Sequence, residues 1–165
     1  MGLEEVSAIL WRERQLLDLL LFKLEEEQLV LAAGRTRWLN HATREVEVVL
    51  EELRHAELAR AVEVDRLASE LGIEPDPSLR QLIKAVPDPW TSLYEQHRAA
   101  FLTVAAEIQA LADSNRELLT RGRQATEEAL AWLVGASTDT EAGLYSAQGS
   151  TSPVARRPRL VNEVL

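Results

Sequence analysis

The feature that most constrains this chain is an apolar repeat with alternating three- and four-residue steps in its second half. The repeat passes through eleven successive positions, nine of them apolar: Phe101, Val104, Ile108, Leu111, Asn115, Leu118, Gly122, Ala125, Ala129, Trp132 and Ala136. Such spacing places every member on one side of an α-helix and is typical of coiled-coil packing. It therefore predicts one long helix that ends near Ala136.

Two earlier segments carry the same kind of stripe. The first is interrupted by Glu13 and Glu27 and reads Leu3, Val6, Leu10, Leu17, Leu20, Leu24 and Leu31. The second slips near Arg60 and reads Leu39, Ala42, Val46, Val49, Leu53, Ala56, Val64, Leu67 and Leu71. We predict two helices that are separated at Gly34, which suits a C-terminal cap, with Thr36 as the next N-cap. A single helix that runs through Gly34 is the alternative.

A connector follows the second helix, which is predicted to end at Gly72 because the prolines after it cannot continue a helix. Ser78 is placed to cap a short helix at residues 79–85. Pro89 suits the first position of the long helix, since a missing N–H costs nothing there.

Composition changes abruptly after Ala136, where Ser, Thr, Gly, Pro and Arg dominate without periodicity. Such a segment is expected to be disordered when alone. The sequence thus predicts an all-α fold: an elongated antiparallel bundle or coiled coil of three long helices plus a short connector helix. A helical domain at residues 1–136 precedes a flexible tail at 137–165.

The charge and residue content exclude several classes of function. The chain carries 27 acidic and 18 basic residues, a net charge of −9 that argues against nucleic acid as a partner. It has no cysteine, which excludes disulfides and thiolate zinc sites. The N-terminus has acids where a signal peptide needs bases, and no run of consecutive apolar residues, Leu19–Phe22 included, approaches the roughly 20 that stable membrane insertion needs. We expect a cytoplasmic protein.

One pair of residues in the sequence has a spacing that is used to bind metal ions. Glu52 and His55 form a Glu-x-x-His pair, the spacing used by di-iron bundles. That chemistry needs a second such pair, which the chain lacks, so a solvated helix face explains these two residues better. Neither a Ser/His/Asp set nor a phosphate-binding glycine loop can be assembled. We therefore expect a protein that is not an enzyme and that holds no metal or cofactor.

Helix lengths indicate an interaction surface. At a rise of 1.5 Å per residue, the three long helices measure roughly 45, 50 and 70 Å. In an up-down-up bundle the last helix would then extend about 20 Å beyond its partners, at residues 123–136. Its apolar side chains there would have no intramolecular cover: Ala125, Ala129, Leu130, Trp132, Leu133 and Val134. A partner's amphipathic helix, the chain's own tail and a second copy are the candidate occupants.

Two residues of the long repeat have low helix propensity, so their presence in it needs an explanation. Asn115 either fixes the register of the helices or hydrogen-bonds an incoming backbone. Gly122 costs about 1 kcal/mol relative to alanine, and it allows close approach of another backbone or a bend. In the tail, Tyr145 is the only aromatic residue and suits a short docking element.

The chain resembles the FlgN family of bacterial flagellar type III export chaperones. The resemblance rests on "LLDLLLFKLEEEQLVLAAG", "VVLEELRHAELAR", the proline-broken connector, "LADSNRELLTRGRQA" and a tail with "LYSAQG". It implies a helical bundle that binds the C-terminal helical segments of hook–filament junction proteins. Such a chaperone keeps these subunits unassembled and delivers them to the export gate.

The resemblance also implies where the partners bind. Cargo would contact the last helix through Asn115, Leu118, Leu119, Gly122, Ala125, Ala129, Trp132 and Leu133. The export gate would be contacted through Tyr145, although the tail continues past the family pattern through a basic segment at Arg156–Arg159. A generic coiled-coil adaptor with a different helical partner is the alternative.

Overall fold

A computed structural model describes the backbone of residues 2–144 and the side chains of residues 2–135. These residues form four helices and no strand: α1 (Gly2–Ala32), α2 (Thr36–Leu71), α3 (Leu79–Ala85) and α4 (Trp90–Leu144). The predicted all-α fold, with three long helices and a short connector helix, is confirmed. By compactness the chain divides into two units, Met1–Gly122 and Arg123–Leu165.

The break between α1 and α2 occurs at Gly34, as predicted, because the backbone there adopts a left-handed conformation with φ of 63°. The N–H of Gly34 donates to the Leu31 carbonyl at 3.1 Å. The prediction of Thr36 as the N-cap is wrong. Arg35 occupies that position without a side-chain cap, because the reversal is so tight that its N–H still closes α1 on Val30 while its carbonyl accepts from Trp38.

The connector follows its turn residues closely. Gly72 ends α2 with φ of 68°, and Ser78 caps α3, both as predicted. The structure adds that the cap is a capping box with Gln81. The Gln81 N–H donates to Ser78 Oγ at 3.3 Å, and the Ser78 N–H donates to Gln81 Oε1 at 2.8 Å. The long helix α4 begins at Trp90, one residue after the predicted Pro89, whose carbonyl accepts from the Leu93 N–H.

The core of the first unit consists of two clusters built mainly from aliphatic side chains. One joins α1, α2, the connector and the start of α4: Val6, Leu10, Val64, Leu67, Leu82, Ile83, Val86 and Tyr94. The other joins α1 and α2, with Ile108 and Leu111 of α4 packed against it: Leu16, Leu20, Leu24, Val46, Val49, Leu53 and Ala56. The connector therefore contributes to the core through Leu82 and Ile83.

Contacts between helices give their directions. Lys23 lies 2.7 Å from Glu45, and Glu13 lies 3.2 Å from Arg60, so α1 and α2 run antiparallel. Along α4 the order is that of α1: the Tyr94 hydroxyl donates to the Leu3 carbonyl, and the Asn115 amide donates to the Leu24 carbonyl. Within the first unit, α4 is thus parallel to α1 and antiparallel to α2.

The long helix continues past its predicted end. It stops at Leu144 rather than at Ala136, so residues 137–144 are helical although they were assigned to the tail. Extending an existing helix needs no new nucleus, and each added residue gains a backbone hydrogen bond. Over the described residues, no helix is both long and apolar enough to cross a membrane.

Candidate functional site

Asn115 joins α4 to α1 at a buried polar contact in the first unit. Its amide donates to the Leu24 carbonyl at 2.9 Å and to Glu27 Oε2 at 3.0 Å. The Thr43 hydroxyl donates to the other Glu27 oxygen at 2.8 Å, so the contact also includes α2. Asn115 is only 2% exposed. Of its two predicted roles, the structure favours fixing the register of the helices, because the amide nitrogen is committed to two acceptors and the side chain is buried.

Two acidic residues, Glu13 and Glu27, interrupt the apolar stripe of α1 but lie on the same buried side of the helix. Glu13 and Glu27 are both buried, as are the leucines around them. Arg60 reaches Glu13 from α2, which explains why the apolar pattern of α2 slips at that residue. Burial raises the pKa of Glu13, while the charge of Arg60 acts in the opposite direction. The contacts of Glu13 and Glu27 with neighbouring helices therefore help to fix how the helices are aligned along their length.

Another buried polar residue, His97, lies near the start of α4. Its ring meets Trp11 of α1 edge-on with centroids 4.9 Å apart, and neither ring nitrogen has a hydrogen-bond partner within the described chain. Burial lowers the pKa of His97, and the nearby Arg14 charge lowers it further. Burial also raises the pKa of the neighbouring Tyr94 to about 12, so its hydroxyl remains protonated and donates to Leu3.

The second unit differs in its exposure. Every described side chain from residue 123 to residue 135 is exposed. Four of them are large apolar residues, with exposed fractions of 57% for Leu130, 52% for Trp132, 53% for Leu133 and 65% for Val134. Charged residues accompany them, and Arg123 pairs with Glu127 at 3.4 Å. A helical segment with this content is amphipathic and presents apolar area to solvent.

The residues predicted to bind cargo divide between the two units. In the first unit, Asn115 is buried, Leu118 is partly buried, Leu119 is 40% exposed and Gly122 is exposed. A Cβ added at Gly122 would meet no neighbouring side chain or helix within 4 Å, so no backbone within the described chain uses the space that the glycine leaves. In the second unit, Ala125, Ala129, Trp132 and Leu133 are all exposed.

Two exposed apolar residues were not among the predicted cargo contacts. Leu130 and Val134 both lie off the stripe, and the helix lengths predicted them as uncovered apolar side chains but not as cargo contacts. Leu130 and Leu133 are three residues apart and so share one side of the helix, beside Ala129 and Trp132. The three-residue spacing of Leu130 and Leu133 was the sequence feature that could have indicated this contact.

The candidate metal pair has other partners in the structure. Glu52 accepts from Arg12 at 2.7 Å, and His55 lies 3.6 Å from Glu51. Both residues are exposed. Within residues 2–135, no group of three or more histidine or acidic side chains is arranged to hold a metal ion. Tyr145 and the basic segment Arg156–Arg159 lie outside the described residues.

Comparison with known proteins identifies the family of the chain. The sequence profile of the family described as FlgN protein matches residues 1–153. The chain belongs to the FlgN family. No curated protein and no solved structure matches it. Membership implies the role of a flagellar export chaperone, in a family whose members are chaperones rather than enzymes.

Proposed function

We propose that this FlgN-family chain is a cytoplasmic carrier for the C-terminal helical segments of hook–filament junction proteins. The observation that carries the proposal is the exposure of every described side chain between residues 123 and 135, with Leu130, Trp132, Leu133 and Val134 among them. We name this segment the cargo surface. Ala125 and Ala129 are also exposed, and their small side chains allow a partner helix to approach α4 closely.

The mechanism is physical rather than chemical. Covering a large apolar side chain contributes at most about 1.5–3 kcal/mol, so four of them supply part of the free energy that orders a flexible terminus as a helix. Ordering that terminus consumes part of the gain, which leaves a moderate affinity. A carrier that must release its load benefits from this balance.

The proposal assigns different roles to the other predicted contacts. Leu119 and Gly122 would extend the contact along α4, since both are exposed. Leu118 is partly buried, and Asn115 is committed to α1, so Asn115 acts by holding α4 in register rather than by touching cargo. Tyr145 would deliver the loaded carrier to the export gate.

The cargo surface is tested by the double substitution Trp132→Ala with Leu133→Ala. We expect co-purification of the C-terminal fragment of a junction protein to be lost, because two large apolar contacts disappear. The circular dichroism of the helices should stay largely unchanged, since both side chains are exposed. Isothermal titration with the same fragment gives the affinity.

The matched control is Leu58→Ala with Val62→Ala, a pair on α2 that is exposed to 66% and 61%. This variant should bind cargo as the wild type does. Equal cargo affinity in the Trp132/Leu133 variant and in the wild type would contradict the proposed surface.

The role of Tyr145 is tested separately by Tyr145→Ala. This variant should bind cargo normally and should fail in export, measured as junction protein secreted into the medium. Tyr145→Phe keeps the ring and is the control that separates ring packing from hydroxyl bonding. Full export by the alanine variant would refute the docking role.

A further inference from the structure

The helix α1 carries a second stripe on the side opposite its buried one. Its six members follow alternating four- and three-residue steps: Trp11, Gln15, Asp18, Phe22, Glu25 and Leu29. All six are exposed. We name this set the outer α1 stripe. The same spacing in the buried stripe of α1 packs against α2 and α4, so the helix has two faces with coiled-coil periodicity. The described structure buries one of them, and on the other only the Trp11 ring meets α4, at His97.

Large apolar side chains stand at both ends of the outer α1 stripe. Trp11, Phe22 and Leu29 are exposed to 47%, 52% and 70%. From Trp11 to Leu29 the stripe is about 27 Å long, which corresponds to five turns of helix. Three large exposed residues at this spacing match the knobs that an added helix would receive. The length suits a helical segment better than a short loop.

The charge around the stripe selects the kind of partner. The exposed charged residues of α1 are four carboxylates, Glu4, Glu5, Asp18 and Glu25, and one guanidinium, Arg12, which already pairs with Glu52 at 2.7 Å. Two of the carboxylates, those of Asp18 and Glu25, belong to the stripe itself. Neither has an ion-pair or hydrogen-bond partner among the described residues. A partner that places cations opposite them would gain interactions that α1 does not satisfy internally.

Two aromatic rings of the stripe lie beside cations of α1 itself. The Arg14 guanidinium lies 4.6 Å from the centre of the Trp11 ring, and the Lys23 ammonium lies 5.2 Å from that of Phe22. Both rings therefore already hold positive groups at cation–π distance. Anionic lipid or nucleic acid would be repelled by the carboxylates of Asp18 and Glu25.

We propose that the outer α1 stripe binds a cationic amphipathic helix of another protein. The partner's apolar seam would cover Trp11, Phe22 and Leu29, and its lysines or arginines would pair with Asp18 and Glu25. This surface shares no residue with the cargo surface, and the proposal does not depend on what the cargo surface binds.

The test uses the full chain and a fluorescein-labelled synthetic peptide of about three heptads, with Leu at the seam positions and Lys at the flanking positions. Fluorescence anisotropy should show binding that weakens as salt is added. A peptide with Glu in place of Lys should not bind, because it would face Asp18 and Glu25. Equal binding of both peptides would overturn the proposal.

Substitutions locate the site. Phe22→Ala with Leu29→Ala should weaken binding of the Lys peptide by about tenfold or more, the change that corresponds to 1.4 kcal/mol. Leu58→Ala with Val62→Ala, which removes equally exposed apolar groups from α2, should leave it within about twofold of wild type. Trp132→Ala with Leu133→Ala should also leave it unchanged. An equal loss in all three variants would overturn the assignment to α1.

The exposed carboxylates allow a test that does not disturb packing. Asp18→Asn with Glu25→Gln should weaken the Lys peptide several-fold and flatten the salt dependence, since two charge pairs are removed. Unchanged affinity and salt dependence in this variant would overturn the charge pairing. Sedimentation of the free chain gives a further check: a dimer that is lost in the Phe22/Leu29 variant would assign the stripe to self-association instead.

Discussion

Two stretches of α4 carry the same apolar repeat and meet different surroundings. In the first unit, Val104 is buried and Ile108 and Leu111 are packed against the α1–α2 cluster. In the second unit, the repeat continues through Trp132, yet every described side chain from residue 123 onward is exposed. The spacing is the same in both. Periodicity therefore fixes which side of the helix is apolar, and only neighbouring elements decide whether that side is covered.

The comparison explains why the two stretches serve different purposes. A covered stripe contributes to the stability of the bundle, because its side chains leave water when the chain folds. An exposed stripe contributes little to stability and keeps its apolar area for a partner. Substitutions in the two stretches should therefore separate stability from binding.

The largest expected contrast is between Tyr94→Ala and Trp132→Ala. Tyr94 is fully buried, so its loss should lower the free energy of unfolding by about 3–5 kcal/mol. Trp132 is half exposed, and its loss should change that free energy by less than about 0.5 kcal/mol. Urea denaturation followed by circular dichroism measures both. A loss of more than about 2 kcal/mol for Trp132→Ala would show that other residues of the chain cover it.

A smaller effect is expected at the polar contact that ends the covered stretch. Asn115→Ala removes the donors to the Leu24 carbonyl and to the buried Glu27 carboxylate, and should cost about 1–3 kcal/mol of unfolding free energy. Asn40→Ala, at an exposed position of α2, is the control and should cost under about 0.5 kcal/mol. If the two variants were equally stable, Asn115 would not hold α4 in register.

The smallest effect is a pH dependence that only the covered stretch should show. The pKa of buried His97 is lowered, so below pH 6.5 the unfolded chain binds the proton first and stability falls as the pH drops towards the folded pKa. The slope is at most about 1.4 kcal/mol per pH unit. His97→Gln should remove this loss, and His55→Gln, at an exposed position, should keep it.

Glu13 acts in the opposite direction. Its pKa is raised, so above pH 4.5 the folded chain takes up the proton first and stability rises as the pH falls through that range. Glu13→Gln should therefore make the acid-side loss steeper than in the wild type. Urea midpoints measured between about pH 5 and pH 8 follow both groups. A flat profile in all variants would contradict the assignment to His97.

Much of the fold could be predicted because local rules govern it. Gly34 and Gly72 have the left-handed backbone that glycine adopts at least cost, and Ser78 caps α3 as its residue type predicts. The cap at Thr36 and the end at Ala136 were wrong, because helix ends depend on how the chain turns and on helix propagation as well as on local preference.

Less of the candidate site could be predicted. The stripe marked Trp132 but not Leu130, Leu133 or Val134, which are exposed to a similar degree, since exposure is a property of neighbours and not of spacing. It also grouped Asn115 with the cargo contacts, although that amide is bonded to α1. A polar residue in an apolar stripe shows that something must satisfy it, but the partner lies 91 residues away along the chain.

The sequence by itself determined the helices, their apolar sides and their principal breaks, because these depend on backbone preferences and on a period that short stretches of chain contain. Only the tertiary structure decided that Glu13, Glu27 and His97 are buried and which side of α1 is left exposed. Burial is settled by contacts between residues far apart in the chain, where a side chain's partner is chosen by packing rather than by its neighbours in sequence.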